Sequence, residues 1–303
     1  MTNESNGGED VALRTSGLTK RFGDHAAVRS IDLEVRTGEI FGLLGPNGSG
    51  KSTTMRMLAG LIRASSGEAV VLGAEPGAQP TRVGAMIEEP ALYPYLSGRR
   101  NLSMLGRLVG ADDEAVTRQL DVVGLGEAAD RVAGGYSTGM RQRLGVACSL
   151  IHDPELLLLD EPSAGLDPSG VVEIRELLGE LGAQGRTIVV SSHMLTEIER
   201  VCDRVAVLSN GELVFQGDLD ELRRRDGDEL VARVAQVDMA VRALAELGVD
   251  VRHDGNGDEL VILASPHQAP EITRSLVAAG VDVFAISERR RSLEESYMEL
   301  TST

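Results

Sequence analysis

The 303-residue chain is long enough for one large and one small domain. Its formal net charge of −17 argues against a nucleic-acid-binding protein, because such proteins present a basic face. Two cysteines, Cys148 and Cys202, lie far apart in segments predicted as buried helices, which excludes a disulfide-stapled secreted protein. Residues 1–10 are polar and predict a disordered lead-in. Because no run of about 18 apolar residues occurs either, we expect a cytoplasmic protein.

After the lead-in, alternating apolar residues predict short strands between residues 11 and 35. An apolar run at residues 39–45 predicts a buried strand that ends at a glycine-rich loop, and helical spacing resumes at residues 52–62. Further strands are predicted at residues 68–73, 82–87, 155–160, 186–192, 204–209 and 212–217. Because helical segments alternate with these runs, we expect an α/β fold with a largely parallel sheet and helices on both faces.

A charged stretch at residues 223–228 predicts a linker between two domains. The large domain then spans residues 11–222, with a mostly helical insertion at about 90–150. The small domain spans residues 228–303. Its strand-helix-strand-strand-helix-strand order predicts an α+β, ferredoxin-like module, which a last helix closes.

The glycine-rich loop matches the pattern GxxxxGK[ST] between a strand and a helix, the context that this phosphate-binding loop requires. Its residues are Gly45, Pro46, Asn47, Gly48, Ser49, Gly50, Lys51, Ser52 and Thr53. The glycines let backbone N–H groups curl around phosphate oxygens at the helix N-terminus. Lys51 would neutralise the β- and γ-phosphates, and the Ser52 hydroxyl would ligate Mg²⁺. The sequence therefore predicts a site for ATP and Mg²⁺.

Two adjacent carboxylates end the apolar strand at residues 155–160. Asp160 is placed to hold the Mg²⁺ shell. Glu161 is placed to polarise the attacking water as a general base. A helix N-cap cluster is the alternative for such a pair, but the phosphate-binding loop in the same chain favours the catalytic interpretation.

A third motif, residues 136–143 (YSTGMRQR), opens an amphipathic helix. A serine and a glycine at a helix N-terminus, here Ser137 and Gly139, can bind phosphate through a hydroxyl and backbone amides. An ordinary N-cap by Ser137 or Thr138 is the alternative.

Taken together, these motifs resemble those of the nucleotide-binding subunit of an ATP-binding-cassette (ABC) transporter over roughly residues 11–218. Residues 136–140 take the place of the family's LSGGQ signature, with Tyr for Leu, Thr for Gly and Met for Gln. Such variants resemble those of drug- and antibiotic-export subunits. The resemblance implies an ABC-type P-loop NTPase domain, in which Ser137 and Gly139 reach ATP on an opposing subunit and Thr138 lies at that dimer interface.

The resemblance also implies roles for four isolated residues. Asp167, in the segment SAGLD, would line the dimer seam. His193 would act beside the general base as the switch histidine that contacts the γ-phosphate. Phe22 would stack on adenine, although alone it would be interpreted as a core residue. Glu88 takes the place of a glutamine that touches Mg²⁺ or water, and we expect that it can still ligate the metal.

The partners implied are a second nucleotide-binding subunit, expected to be a second copy of the chain, and a separate transmembrane permease. ATP-dependent closure of the dimer would then power export, with the subunit held at the inner face of the cell membrane. The aromatic cluster at residues 92–96 is predicted to pack near the permease, or alternatively to form a locally satisfied loop. Alternatives for the whole chain are an importer subunit, a non-transport cassette protein and a regulator that binds ATP without hydrolysing it.

Overall fold

The computed structural model describes residues 11–224, 229–253, 257–289 and 293–301. The chain divides into two compact units, the first formed mainly by residues up to Leu219 and the second by Asp220–Glu299. This division lies just before the linker predicted at 223–228. The predicted lead-in, residues 1–10, lies outside the described residues.

The strands of the first unit form two sheets. They are β1 (Val11–Phe22), β2 (His25–Ile31), β3 (Glu34–Arg36), β4 (Ile40–Leu44), β5 (Ser66–Val71), β6 (Val83–Met86), β7 (Leu156–Asp160), β8 (Thr187–Ser192), β9 (Arg204–Ser209) and β10 (Glu212–Asp218). One sheet has the order β10-β9-β4-β8-β7-β6 and is parallel except at the edge strand β10. In the other sheet, β1 pairs antiparallel with β2, β3 and β5.

Burial explains why one sheet was easier to predict than the other. Every residue of β4, β7, β8 and β9 is buried, as expected for parallel strands covered on both faces. In β1 and β2, buried positions are interspersed with exposed ones, because these strands belong to a half-exposed antiparallel sheet. The predicted parallel sheet is therefore confirmed, and the first strands form a second sheet that the sequence did not separate from it.

The helices of the first unit are α1 (Lys51–Leu58), α2 (Gly98–Val109), α3 (Asp113–Val122), α4 (Thr138–Leu150), α5 (Pro168–Ala183) and α6 (Leu195–Ile198). Helix α7 (Leu219–Arg224) begins at the boundary, with all but its first residue in the second unit. Helices α2 to α4 form the predicted helical insertion. Cys148 lies in α4, but Cys202 lies in the loop between α6 and β9, so its predicted helical position was wrong. None of the helices in the described part of the chain combines the length and hydropathy that a membrane crossing needs.

One apolar core joins both sheets to the helix that follows the glycine-rich loop. Leu18 and Ile31 from the antiparallel sheet cluster with Phe41 and Leu43 of β4 and with Met55 of α1. All five side chains are at most 1% exposed. Close packing of this kind gives α1, and the loop before it, a fixed position at the edge of the parallel sheet.

The second unit contains β11 (Glu229–Val234), α8 (Val237–Glu246), β12 (Asp250–Arg252), β13 (Glu259–Leu263), α9 (Ala269–Ala278), β14 (Val283–Arg289) and α10 (Leu293–Thr301). Its strands pair antiparallel in the order β12-β13-β11-β14. The β-α-β-β-α-β order is the ferredoxin-like arrangement that the sequence predicts. Leu230, Leu244, Ile262 and Leu276 form a core of its own.

Candidate active site

The parallel sheet brings three motifs to one edge. Strands β4, β8 and β7 are neighbours, and parallel strands present their carboxyl ends on the same side. The phosphate-binding loop follows Leu44, His193 follows β8, and Glu161 follows β7. The register pairs Leu44 with Ser192 and Asp160 with Ser191, so the three strand ends are level. Ligands of open parallel sheets bind at this edge.

Glycines shape the loop before α1. Gly48 and Gly50 adopt left-handed conformations with φ of +81° and +106°, which side-chain-bearing residues rarely take. A methyl group on Gly50 would also lie 2.7 Å from the Ala27 carbonyl oxygen. Gly50 is the N-cap of α1, so the first backbone N–H groups of that helix lack intrahelical acceptors. This arrangement is suited to binding an anion.

Lys51 is buried inside the loop, with 4% of its side chain exposed. Its Nζ donates to the Gly45 carbonyl oxygen at 2.7 Å and to the Pro46 carbonyl oxygen at 3.3 Å. The same ammonium lies 3.3 Å from Glu161 Oε1. Lys51 is therefore a buried cation at the loop, paired with the carboxylate of the neighbouring motif.

Ser191 organises the carboxylate pair, and the sequence analysis missed it. The Ser191 hydroxyl donates to Asp160 Oδ1 at 2.5 Å and accepts a hydrogen bond from the Glu161 backbone N–H at 2.9 Å. Glu161 has a φ of +47°, an unfavourable conformation for a non-glycine residue. The available signal was a hydroxyl residue at the end of an otherwise apolar buried strand.

Glu161 connects two of the predicted functional residues. While its Oε1 faces Lys51, its Oε2 lies 2.8 Å from His193 Nδ1. The Glu161 side chain is 25% exposed and that of His193 is 47% exposed, so both remain accessible at the sheet edge. A partly exposed carboxylate fixed between an ammonium and an imidazole can accept a proton from a water molecule.

The donor atoms predicted to hold Mg²⁺ are oxygens. Ser52 lies in the first turn of α1, and Asp160 is 5% exposed at the end of β7. Glu88 instead forms an ion pair with Arg56 of α1, and its side chain is 64% exposed. The described residues contain no group of three or more His, Cys, Asp or Glu side chains that could hold a metal ion. A hydroxyl and a carboxylate fit Mg²⁺, which commonly takes its other ligands from phosphates and water.

The third motif forms the N-terminus of α4. Ser137 is the N-cap, and its hydroxyl accepts a hydrogen bond from the Met140 backbone N–H at 3.2 Å. The Thr138 hydroxyl accepts from Arg141, and Gly139 has space around it. The N-cap alternative is thus what the single chain displays, while the role toward a second subunit stays a prediction.

Tyr136 anchors this turn to the helical insertion. It is 4% exposed, and its hydroxyl donates to the Ala128 carbonyl oxygen at 2.7 Å. Burial is the main cause of the raised pKa of the Tyr136 phenol. A methyl group on Gly98, the first residue of α2, would lie 2.2 Å from that phenolic oxygen. Tyr136 therefore occupies a site shaped for its ring and hydroxyl.

Asp167 and Phe22 lie on elements other than the three strand ends that carry Lys51, Glu161 and His193. Asp167 is the N-cap of α5 and accepts hydrogen bonds from the Ser169 hydroxyl and the Gly170 N–H, which lower the pKa of its carboxyl. Phe22, at the end of β1, is 50% exposed, so the alternative of core packing is wrong. Lys20 Nζ lies 5.1 Å from the centre of the Phe22 ring.

Comparison with known proteins assigns the family. The family model described as "ABC transporter" matches residues 28–164. A bacitracin transport ATP-binding protein of Bacillus licheniformis is 35% identical over 296 residues, which cover 95% of this chain and 96% of that protein. The chain is an ABC transporter ATP-binding subunit. A daunorubicin/doxorubicin resistance ATP-binding protein of Streptomyces peucetius is 36% identical over 305 residues, which cover 96% of this chain and 92% of that protein.

Solved structures agree with this assignment. An ATP-binding subunit of an ABC transporter matches with 28% identity and a TM-score of 0.64, covering 71% of this subunit and 92% of that chain. A dimeric ATP-binding cassette in a post-hydrolysis state with ADP and Pi has the same fold. It is 23% identical with a TM-score of 0.63, covering 68% of this subunit and 98% of that chain. Both matches agree with an ABC ATPase fold for this subunit.

Within the ABC subunit, the predicted residues fall into two groups. Lys51, Asp160, Glu161 and His193 meet at the sheet edge, connected directly or through Ser191. The Ser137 and Thr138 side chains make their hydrogen bonds at the start of α4, and Glu88 pairs with Arg56 of α1. Among the contacts described, the reactive residues at the sheet edge and the signature residues at the start of α4 therefore form two separate groups.

Proposed function

We propose that two copies of the subunit hydrolyse ATP between them and thereby drive export of a drug or antibiotic through a separate transmembrane permease. The observation that carries this proposal is the position of Glu161, held between Lys51 and His193 at the edge of the parallel sheet. A carboxylate in this position, next to a phosphate-binding loop, is suited to hydrolysis of a triphosphate.

In the proposed reaction, Lys51 gives up its ion pair with Glu161 and contacts phosphate oxygens instead. Glu161 is then free to orient the attacking water and to accept its proton. His193 keeps the carboxylate in position and contacts the γ-phosphate. Ser52 and Asp160 would hold Mg²⁺, and Glu88 could do so only without its ion pair to Arg56. The metal would supply neutralisation of charge on the transferred phosphoryl group.

The second half of each site would come from the other copy. Ser137 and Gly139 would approach the γ-phosphate across a two-fold interface, because a helix N-terminus with a hydroxyl favours an anion. Thr138 would lie at the same interface, and Asp167 would line its seam. Two-fold pairing is the simplest arrangement, since each chain then gives one signature and receives one.

A permease would contact the helical insertion. Helix α2 leaves Met104, Leu105, Leu108 and Val109 at least 38% exposed, and Leu108 reaches 81%. Tyr95, in the aromatic cluster before α2, is 71% exposed. Exposed apolar side chains grouped in this way are typical of protein interfaces. Contact here with a membrane protein would place the subunit at the inner face of the cell membrane.

Both alternatives for the aromatic cluster at residues 92–96 have support. Tyr93 exchanges backbone hydrogen bonds with the Asn101 side chain, so the loop is satisfied locally. The Tyr93 and Tyr95 rings nevertheless remain 44% and 71% exposed, with centroids 5.9 Å apart. The backbone of this loop can therefore form its hydrogen bonds locally while the two exposed rings contact a permease.

The direction and class of cargo rest on the relatives. Their names specify transport of bacitracin and resistance to daunorubicin and doxorubicin, and the matches extend through the second unit. We therefore favour export of an antibiotic-like compound over import. Deletion of the gene should lower resistance to the exported compound, and restored resistance should require an intact Glu161.

Light scattering with Mg²⁺ and ATP tests the two-copy arrangement. A Glu161→Gln subunit should form a dimer that dissociates when ATP is removed, because binding is kept while hydrolysis is slow. Ser137→Ala in the same background should stay monomeric although it binds ATP. A Glu161→Gln subunit that stays monomeric at saturating ATP would argue for a different chain as partner.

A further inference from the structure

Glu197 connects the two segments that carry Glu161 and His193. It lies on the short helix α6, and its Oε2 accepts hydrogen bonds from the Ser163 hydroxyl at 2.5 Å and the Ser192 hydroxyl at 3.1 Å. Ser163 follows Glu161 by two residues, and Ser192 directly precedes His193. A single carboxylate oxygen is therefore shared by both segments.

On one side, Ser163 begins the turn that leads from β7 towards α5. The Ala164 N–H donates to the Glu161 carbonyl oxygen at 3.0 Å, and the Leu166 N–H donates to the Ser163 carbonyl oxygen at 3.2 Å. These bonds make residues 163–166 a tight turn. Glu197 contacts this turn through the Ser163 hydroxyl.

On the other side, Ser192 fixes the turn that carries the histidine. Its hydroxyl accepts a hydrogen bond from the Met194 backbone N–H at 2.9 Å, closing a short turn around His193. Ser192 is 4% exposed at the end of β8, so its position is set by the sheet. Glu197 thus holds the histidine turn through a buried hydroxyl.

Together these contacts form a closed ring. Glu161 Oε2 and His193 Nδ1 lie 2.8 Å apart on one side, and Glu197 joins the serines next to them on the other. Hydrogen bonds to an ionised acceptor are roughly twice as strong as neutral ones. Without the Glu197 carboxylate, the Glu161–His193 pair would be held by its own contact, by Ser191 and by the pairing of β7 with β8, but no longer through Ser163 and Ser192.

We propose that Glu197 is a positioning residue that sets the distance between Glu161 and His193 and connects the turn at 163–166 to the histidine turn. The same turn leads to Asp167, so the connection extends from the proposed dimer seam to the γ-phosphate side of the site. This inference rests on the proposed roles of Glu161 and His193.

Steady-state ATPase kinetics of Glu197→Ala test the inference. The kcat should fall by about 10- to 100-fold, the loss expected when catalytic groups are misplaced by about 1 Å. The KM for ATP should change by less than about twofold, because the phosphate-binding loop keeps its contacts. Glu197→Gln retains a carbonyl acceptor and should recover most of the kcat. Glu180→Ala, at an exposed position on α5, is the matched control and should match wild type.

A double-mutant cycle with Ser163→Ala guards against a general loss of folding. Because Ser163 and Glu197 share one hydrogen bond, the double variant should be no slower than Glu197→Ala alone. Ser163→Ala removes no charge, so we expect it to fold, and it should lower kcat with unchanged KM. Additive losses, or a raised KM with normal kcat, would overturn the inference.

The result also separates this inference from the proposed function. Normal turnover by Glu161→Gln would remove the proposed general base itself. Loss of turnover by Glu161→Gln together with normal turnover by Glu197→Ala would overturn the positioning role alone.

Discussion

The two halves of the proposed ATP site are built in different ways within the same chain. At the edge of the parallel sheet, Lys51, Glu161 and His193 lie in direct contact, and Ser191 holds Asp160 beside them. At the start of α4, the Ser137 and Thr138 side chains bond only to neighbours in their own helix among the contacts described. One half contains connected reactive groups, whereas the other presents a capped helix end.

This difference follows from the elements that carry each half. The strands behind the first half are buried at every position, so their ends are held by the core. The signature turn is joined to the helical insertion through Tyr136, whose hydroxyl bonds to Ala128 and lies beside Gly98. We infer that hydrolytic chemistry belongs to each chain, whereas completion of the site depends on how two chains meet.

The largest effect is expected for Glu161→Gln. The amide keeps the size of the side chain but cannot accept a proton, so kcat should fall by about 10²–10⁴-fold. Binding of ATP, measured by fluorescence of a labelled nucleotide, should persist because the phosphate-binding loop is unchanged. Glu180→Gln on the exposed face of α5 is the control. Near-normal turnover would show that the first half does not use this carboxylate as its base.

Mixing of two inactive variants tests whether the halves come from different chains. Lys51→Ala should disable the phosphate-binding half, and Ser137→Ala should disable the signature half, so each variant alone should be inactive. A mixed dimer keeps one site with both halves intact. An equimolar mixture should regain about a quarter of wild-type ATPase activity, since about half of the random pairs are mixed and each has one working site.

A mixture that contains a double variant is the control for this experiment. Combining both substitutions in one chain and mixing it with an inactive single variant creates no intact site, so that mixture should stay inactive. Activity of Ser137→Ala alone at the wild-type level would mean that the signature turn is not part of the site.

The first half was largely predictable from sequence because its chemistry follows buried strands. Apolar runs ending in Gly45 and Asp160 predict strand ends, and parallel pairing places such ends together. The sequence did not indicate which residues connect the motifs across neighbouring strands. Ser191 and Glu197 act through contacts that depend on sheet register and on the path of α6, and neither property is readable from local spacing.

The second half was harder for a related reason. The sequence left the N-cap and phosphate-binding interpretations of Ser137 open, and a single chain displays the cap whichever is true. Glu88 was expected at the metal from its place in the motif, but its pairing partner Arg56 is 32 residues away on another element. Long-range partners of exposed charges are set by packing, which one sequence does not reveal.

A smaller effect is expected where Tyr136 meets Gly98. A methyl group introduced by Gly98→Ala would lie 2.2 Å from the phenolic oxygen, so the variant should lose about 1–3 kcal/mol in the free energy of unfolding. In a Tyr136→Phe background the same substitution should cost less, because the clashing oxygen is absent. Urea unfolding of the four proteins of this cycle measures the coupling. Equal costs in both backgrounds would show that the phenolic oxygen is not the source of the loss.

The smallest effect concerns Asp167, which caps α5 as Ser137 caps α4. Hydrogen bonds from Ser169 and Gly170 hold the pKa of Asp167 below its ordinary value of 3.8. The charged form therefore stabilises the fold above that pH, and this stabilisation is lost as the pH falls through the lower folded-state pKa. Thermal unfolding of Asp167→Asn should show a slightly lower Tm than wild type at pH 7 and a shrinking difference below about pH 3.8.

Ser137→Ala removes the corresponding cap without removing a titrating group, so its deficit in Tm should stay constant over the same pH range. If the Asp167→Asn deficit were equally constant, the charge of Asp167 would contribute nothing, and the two caps would be equivalent in kind. A deficit that titrates would instead mean that the end of α5 responds to protonation while the signature end does not. The two ends that we propose at the dimer seam would then differ in electrostatics as well as in sequence.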